Sequence, residues 1–139
     1  MVSSYIPLPT ELQHHNKGLI NLINNDNECL RWCNIRYLNP KDNHPKRIKR
    51  SDKLVVDPLN YERVEFPVSV KDYAKIEAQN NINIKNINVF GYENKEFYLI
   101  YVSKQKNDML DLLLITEGEK THYVLYKDFN RSLFNTNQT

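Results

Sequence analysis

Ile87-Asn88-Val89-Phe90-Gly91 and, after a short break, Phe97-Tyr98-Leu99-Ile100-Tyr101-Val102 mark the point where the period of this sequence changes. In the first run apolar and polar residues alternate, and the second is aromatic and β-branched; both are strand signals. Ile82-Asn83-Ile84 alternates in the same way just before them, and Gly91 reads as the close of that strand. Leu110 to Thr116 and His122 to Lys127 read as two more strands, with Glu117-Gly118-Glu119-Lys120 between them as a hairpin loop. A short helix is expected from Asn130.

Upstream of these runs the pattern is helical. Asn24-Asn25-Asp26-Asn27-Glu28 is a helix-start signal: Asp26 or Asn27 can cap, and Glu28 favours the positive end of the helix dipole. The helix that follows carries Cys29, Trp32, Cys33 and Arg36 on one stripe and stops at Asn39-Pro40, because the residue before proline is pushed out of the α region. Lys41 to Pro67 shows no period and reads as a long irregular crossover. Ser69 and Asp72 form a capping-box-like start for a second helix, Val70 to about Gln79, whose apolar face is Val70, Tyr73, Ala74 and Ile76, with Glu77 joining by its stem. Helices first and four to five strands after them define an α+β fold, with the helices packed on a mainly antiparallel sheet. The expected organisation is an N-terminal arm over 1–17, a single domain over 18–134 and a tail over 135–139.

Composition narrows the class. The 139 residues are 40% hydrophobic and 26% charged, which suits one globular domain. Nineteen Lys and Arg against 17 Asp and Glu give a net charge of +2, so this is no polybasic binder, although local patches remain open. Two cysteines four residues apart make no disulfide framework, which favours a reduced intracellular setting, cytoplasmic or nuclear. No apolar run approaches the roughly 18 residues of a membrane span. The expectation is an intracellular monomer with no membrane partner and no cofactor.

Three residues carry the chemistry. Cys29 falls in the first turn of a helix, where unpaired N–H groups and the dipole lower a thiol's pKa. His122 opens a late strand, where its side chain is expected to be exposed at the sheet's end. Asn24 can turn an amide donor toward the carbonyl oxygen a thiolate attacks. Together these are the parts of thiol acyl transfer, with histidine as general base. The bland alternative is a buried helical cysteine and a cross-strand histidine. For a third member, Asp128 lies six residues past His122, about 20 Å along a straight strand, so Asp26 or Asn88 is easier to place. Cys29 and Cys33 could share a metal with His14, His15 or His44, but there is no second cysteine pair and no metal site is expected. Lys46-Arg47-Ile48-Lys49-Arg50 is the densest basic cluster and could grip phosphates.

The segment Asp26-Asn27-Glu28-Cys29-Leu30-Arg31-Trp32 resembles the cysteine box of ovarian-tumour-type deubiquitinases, His122-Tyr123 resembles that family's His-Tyr strand, and Ile87 to Phe90 resembles the strand after its second helix. Asn27 stands where a glycine is usual in that family, and Val124 where an asparagine is frequent. Gly18-Leu19 with Asn24 also resembles, faintly, the cysteine box of ubiquitin-specific proteases. These resemblances imply a papain-like fold, Cys29 as nucleophile, His122 as base, Asp26 as the acidic member and ubiquitin or a ubiquitin-like protein as substrate. A broader stretch, roughly Tyr5 to Phe134, is similar to a module of Polinton (Maverick) transposon proteins that neighbours a protein-primed DNA polymerase, although none of the polymerase's carboxylate motifs is present. The leading expectation is a deubiquitinase-like cysteine peptidase. The alternative is a non-catalytic module of a mobile-element replication protein that binds nucleic acid or protein.

Overall fold

The computed structural model describes residues 5–13, 18–80, 86–103 and 109–127. In chain order these form α1 (Thr10–Gln13), β1 (Leu19–Ile20), α2 (Cys29–Leu38), α3 (Arg50–Lys53), a 3-10 turn (Val70–Asp72) that runs into α4 (Tyr73–Gln79), and then β2 (Asn86–Glu93), β3 (Glu96–Val102), β4 (Met109–Glu117) and β5 (Lys120–Tyr126). The architecture is α+β, a five-stranded sheet with a few short helices. Ile82 to Ile84, the helix expected at Asn130 and the tail 135–139 lie outside the described residues.

The sheet order is β1-β5-β4-β2-β3. β2 pairs with β3, β4 with β5 and β1 with β5 in antiparallel fashion, while β2 and β4 run parallel, so the sheet is mixed. Gly91 does not end β2. The strand continues to Glu93, because a glycine at 91 leaves room for the Tyr98 ring, which a Cβ there would meet head-on. The reversal falls instead at Asn94 and Lys95, both with positive φ (53° and 63°), the backbone a two-residue hairpin needs at both central positions. The β4–β5 hairpin turns at Gly118, φ 62°, as its loop composition implies.

Period two sorts the sheet's side chains onto two buried faces. Ile87, Val89, Leu110, Leu112, Tyr123 and Leu125 join Leu30, Cys33 and Ile35 of α2 and Tyr73 and Ile76 of α4 in the larger core. Leu113 and Val124, on the other face, pack with Leu19 and with Leu8 and Leu12 of the N-terminal arm. On α4 the buried positions are Tyr73 and Ile76; Val70 and Ala74, expected on the same face, are exposed because the first turn is 3-10 rather than α. The Ser69 N–H and Oγ–H both reach Asp72 Oδ2, so the start signal is used as read.

α2 is buried on almost every side, from Cys29 to Arg36. Its one buried charge is neutralised completely. The five guanidinium N–H donors of Arg36 go to the carbonyls of Pro45, Asn39 and Arg47 and to both carboxylate oxygens of Asp52, at 2.6–3.0 Å. Burial would raise the Asp52 carboxyl, but the Arg36 hydrogen bonds, the Lys49 N–H and the charges of Arg36 and Lys41 hold it well below the usual carboxylate range. Such a pair is worth little over an apolar substitute, yet removing one partner strands a buried charge. Its positional effect is clear: Arg36 pins the irregular segment 39–52 to α2. Among the described residues no helix is long and apolar enough to cross a membrane.

Candidate active site

β1 is only two residues long and leaves β5 at Ile20, opposite Leu125. In an antiparallel ladder alternate residues turn their N–H and C=O away from one neighbour strand. Tyr123 therefore presents both groups at the edge that β1 no longer covers. α2 fills this gap with two thiols one turn apart. The Tyr123 N–H donates to the Cys29 sulfur at 3.4 Å, and the Cys33 S–H donates to the Tyr123 carbonyl at 3.5 Å. Cys29 is thus the first residue of a ten-residue helix, as the sequence implies, and its sulfur lies against the residue that follows His122.

His122 is fully buried, not exposed at the sheet's end as its position near the hairpin suggests. The arm accounts for the difference: the Tyr5 ring stands edge-on to the imidazole, with centroids 5.4 Å apart. His122 Nε2 lies 2.6 Å from Asn21 Oδ1, just past the end of β1. The donors here can be assigned in order. The Ile6 carbonyl only accepts, so it takes the Asn21 Nδ2–H (2.9 Å), which turns Asn21 Oδ1 toward the ring. Oδ1 also only accepts, so the ring proton sits on Nε2. Nδ1 is then a bare lone pair, and it is buried without a hydrogen-bond partner among the described residues. Burial pushes the imidazole down to about 4, so at neutral pH the ring is uncharged, the form that takes up a proton.

The other expected site residues are used elsewhere. Asn24 Nδ2 donates to the Asp26 carbonyl (2.8 Å) and to Asp26 Oδ1 (3.0 Å), so its amide folds back onto the turn instead of facing a carbonyl beside Cys29. Asp26 accepts from the Glu28 N–H (3.0 Å) and from Trp32 Nε1 (3.1 Å), clipping the turn to the first turns of α2. Burial would raise its carboxyl, but the bonds from Asn24, Glu28 and Trp32 lower it. The N-cap position is Glu28, with no side-chain cap bond from Asp26 or Asn27. Asn88 sits on β2, separated from β5 by β4 and so about 10 Å away, and its Nδ2 donates to Asp111 (3.0 Å). Asp128, His14 and His15 lie outside the described residues.

Asn21 is therefore the residue that composition did not flag. The signal was present: it is the one polar position in Gly18-Leu19-Ile20-Asn21-Leu22-Ile23, and it is 2% exposed. Burial, then the charge of neighbouring Cys29, pushes the Cys33 thiol well up, so Cys33 is a packing group. Among the described residues no cluster of three His, Cys, Asp or Glu side chains is placed to hold a metal ion. No family model, no curated protein and no solved structure matches this chain.

A buried neutral histidine makes stability depend on pH. The unfolded chain binds the proton with an ordinary value of 6.5, while the folded chain binds it only near 4. Between these values the unfolded state holds more protons, so stability is full above pH 6.5 and falls as the pH drops toward 4, by about 3 kcal/mol in all. Urea unfolding of the parent and of His122→Gln across this window reads the effect: the parent should show the slope and the variant should lose it. Equal slopes would mean that His122 titrates normally in the folded chain.

Proposed function

We propose that this chain is a thiol-dependent peptidase or isopeptidase of papain-like, deubiquitinase-like type, with Cys29 as nucleophile, His122 as general base and Asn21 as the residue that orients the imidazole. One observation carries the reading. His122 is buried with Nε2 spent on Asn21 and Nδ1 bare, one residue from the amide that touches the Cys29 sulfur. An unsatisfied buried polar atom costs roughly 1–3 kcal/mol. A purely structural histidine explains Nε2 and leaves Nδ1 without a reason.

In this reading Nδ1 takes the proton from the Cys29 thiol as the sulfur bonds to the substrate's carbonyl carbon. The Nδ1–H then passes to the leaving amine as the C–N bond breaks, and water releases the acyl group from sulfur with Nδ1 again as base. Asn21 keeps the second proton on Nε2 throughout, so the ring cannot present the wrong nitrogen. Asp26, which the deubiquitinase resemblance offers as the acidic member, instead sets the turn that delivers Cys29 to the start of α2.

Ubiquitin and ubiquitin-like proteins with a thiol-reactive electrophile at the C-terminus test the assignment, with intact mass as readout. The expected result is an adduct with one of these modifiers that is lost in Cys29→Ala and in His122→Ala, both variants remaining folded. A folded parent that forms no adduct with any modifier would contradict it.

A second reading rests on a different surface. Lys46, Arg47, Lys49, Arg50 and Lys53 are exposed along the segment that Arg36 pins, which gives five outward cations on a fixed scaffold. Such a platform suits the phosphate backbone of a nucleic acid. Duplex DNA titrations at rising salt check it: affinity should fall steeply with salt and vary little with base sequence, whereas salt-independent affinity would rule out phosphate contacts.

A further inference from the structure

The N-terminal arm does more at the site than cover it. Tyr5 presents its ring edge to the His122 imidazole, and the Ile6 carbonyl holds the same Asn21 amide whose oxygen holds the imidazole. Ile6 and Leu8 are buried, at 3% and 7% exposure. Two features make this attachment weaker than the sheet beneath it. Pro7 and Pro9 carry no N–H, so two of the arm's backbone positions have no donor to offer the body. A cavity of about 320 Å³ lies at the arm's edge, lined by Tyr5, Pro7, Leu8, Gln13, Asn21 and Lys46, so the arm is not close-packed along its length. Segments with few backbone ties and loose packing open locally at a fraction of the global unfolding free energy.

We propose that Tyr5–Pro9 is a strap that holds the thiol site shut, seated through the Ile6–Asn21 hydrogen bond and the Tyr5–His122 ring contact, and that its displacement is what makes Cys29 reactive. This rests on the thiol reading given above and adds its regulation. Because one amide group serves both the strap and the imidazole, seating and ring orientation are coupled: a polypeptide that supplies its own carbonyl to Asn21 Nδ2 can replace Ile6 without disturbing Nε2. The cavity is the place where such a segment first gains a hold.

The test uses the full-length chain and iodoacetamide at neutral pH. Cleavage after Arg31 puts Cys29 and Cys33 on different peptides, so each thiol is read separately. Tyr5→Ala removes the ring contact, and Ile6→Asp places a carboxylate at a buried strap position. In either variant Cys29 labelling should accelerate by about tenfold or more while Cys33 stays at the parent's rate, since losing the ring contact of half-buried Tyr5 or placing a carboxylate at buried position 6 shifts the opening equilibrium of the arm. Adding His122→Ala to the strap variant should abolish the acceleration. Cys29 labelling that depends on His122 in the parent and is unchanged in both strap variants would overturn the strap and leave the thiol site standing. Acceleration that persists without His122 would overturn the thiol reading. Cys29 and Cys33 accelerating together would show general loosening and also overturn the strap.

Discussion

The hold that α2 takes on the Tyr123 peptide is the constraint on which the rest of the molecule depends. β1 stops after two residues, so β5 has an open edge in the middle of the protein, and an unpaired buried N–H and C=O cannot be left there. Cys29 and Cys33, one helical turn apart, close it from both sides. The Tyr123 side chain extends the same junction: its hydroxyl donates to the Val68 carbonyl at 2.7 Å and meets the Tyr73 hydroxyl at 2.6 Å, which ties in α4. Burial, with the neighbouring Tyr73 hydroxyl, raises Tyr123 beyond any working pH. Helix, strand and second helix are thereby fixed around one residue, and the Cys29 sulfur is held against the Tyr123 N–H.

From that junction a single line of donors and acceptors runs outward. The Ile6 carbonyl orients the Asn21 amide, the amide sets the proton on His122 Nε2, and Nδ1 is left bare. Nearly all buried polar atoms in folded proteins find partners; among the described residues His122 Nδ1 does not, and Asn34 Oδ1 is a second buried atom in that position. Arg36 illustrates the contrast, with all five donors matched, as does Asp26, whose two oxygens serve the turn, the backbone and an indole.

Local signals carried much of the fold. The period-two runs mark β3, β4 and β5 to within a residue or two, Gly118 marks the hairpin, and Asn39-Pro40 ends α2. What local signals cannot carry is partner choice. Nothing in Ile87–Phe90 says that its strand runs parallel to β4, nor that Gly91 is there to admit Tyr98. The site divides along the same line. The placement of Cys29 at the start of α2 and of His122 near the start of β5 was legible because residue type and element start are local properties. Asp26 and Asn24 looked eligible by closeness in sequence, yet they bond to one another, while Asn21 lies 101 residues from the ring it orients. His122 also looked exposed, because burial by Tyr5 comes from the far end of the chain.

In the folded chain the His122 ring carries its proton on Nε2 and leaves Nδ1 without a partner among the described residues. Nitrogen-15 spectra of the imidazole at neutral pH report this directly, since the protonated and bare ring nitrogens resonate far apart. The expected result is a neutral ring with the proton on Nε2, and a loss of that preference in Asn21→Ala. A ring protonated on Nδ1, or a charged imidazolium at neutral pH, would contradict it, because neither leaves Nδ1 able to take the thiol's proton.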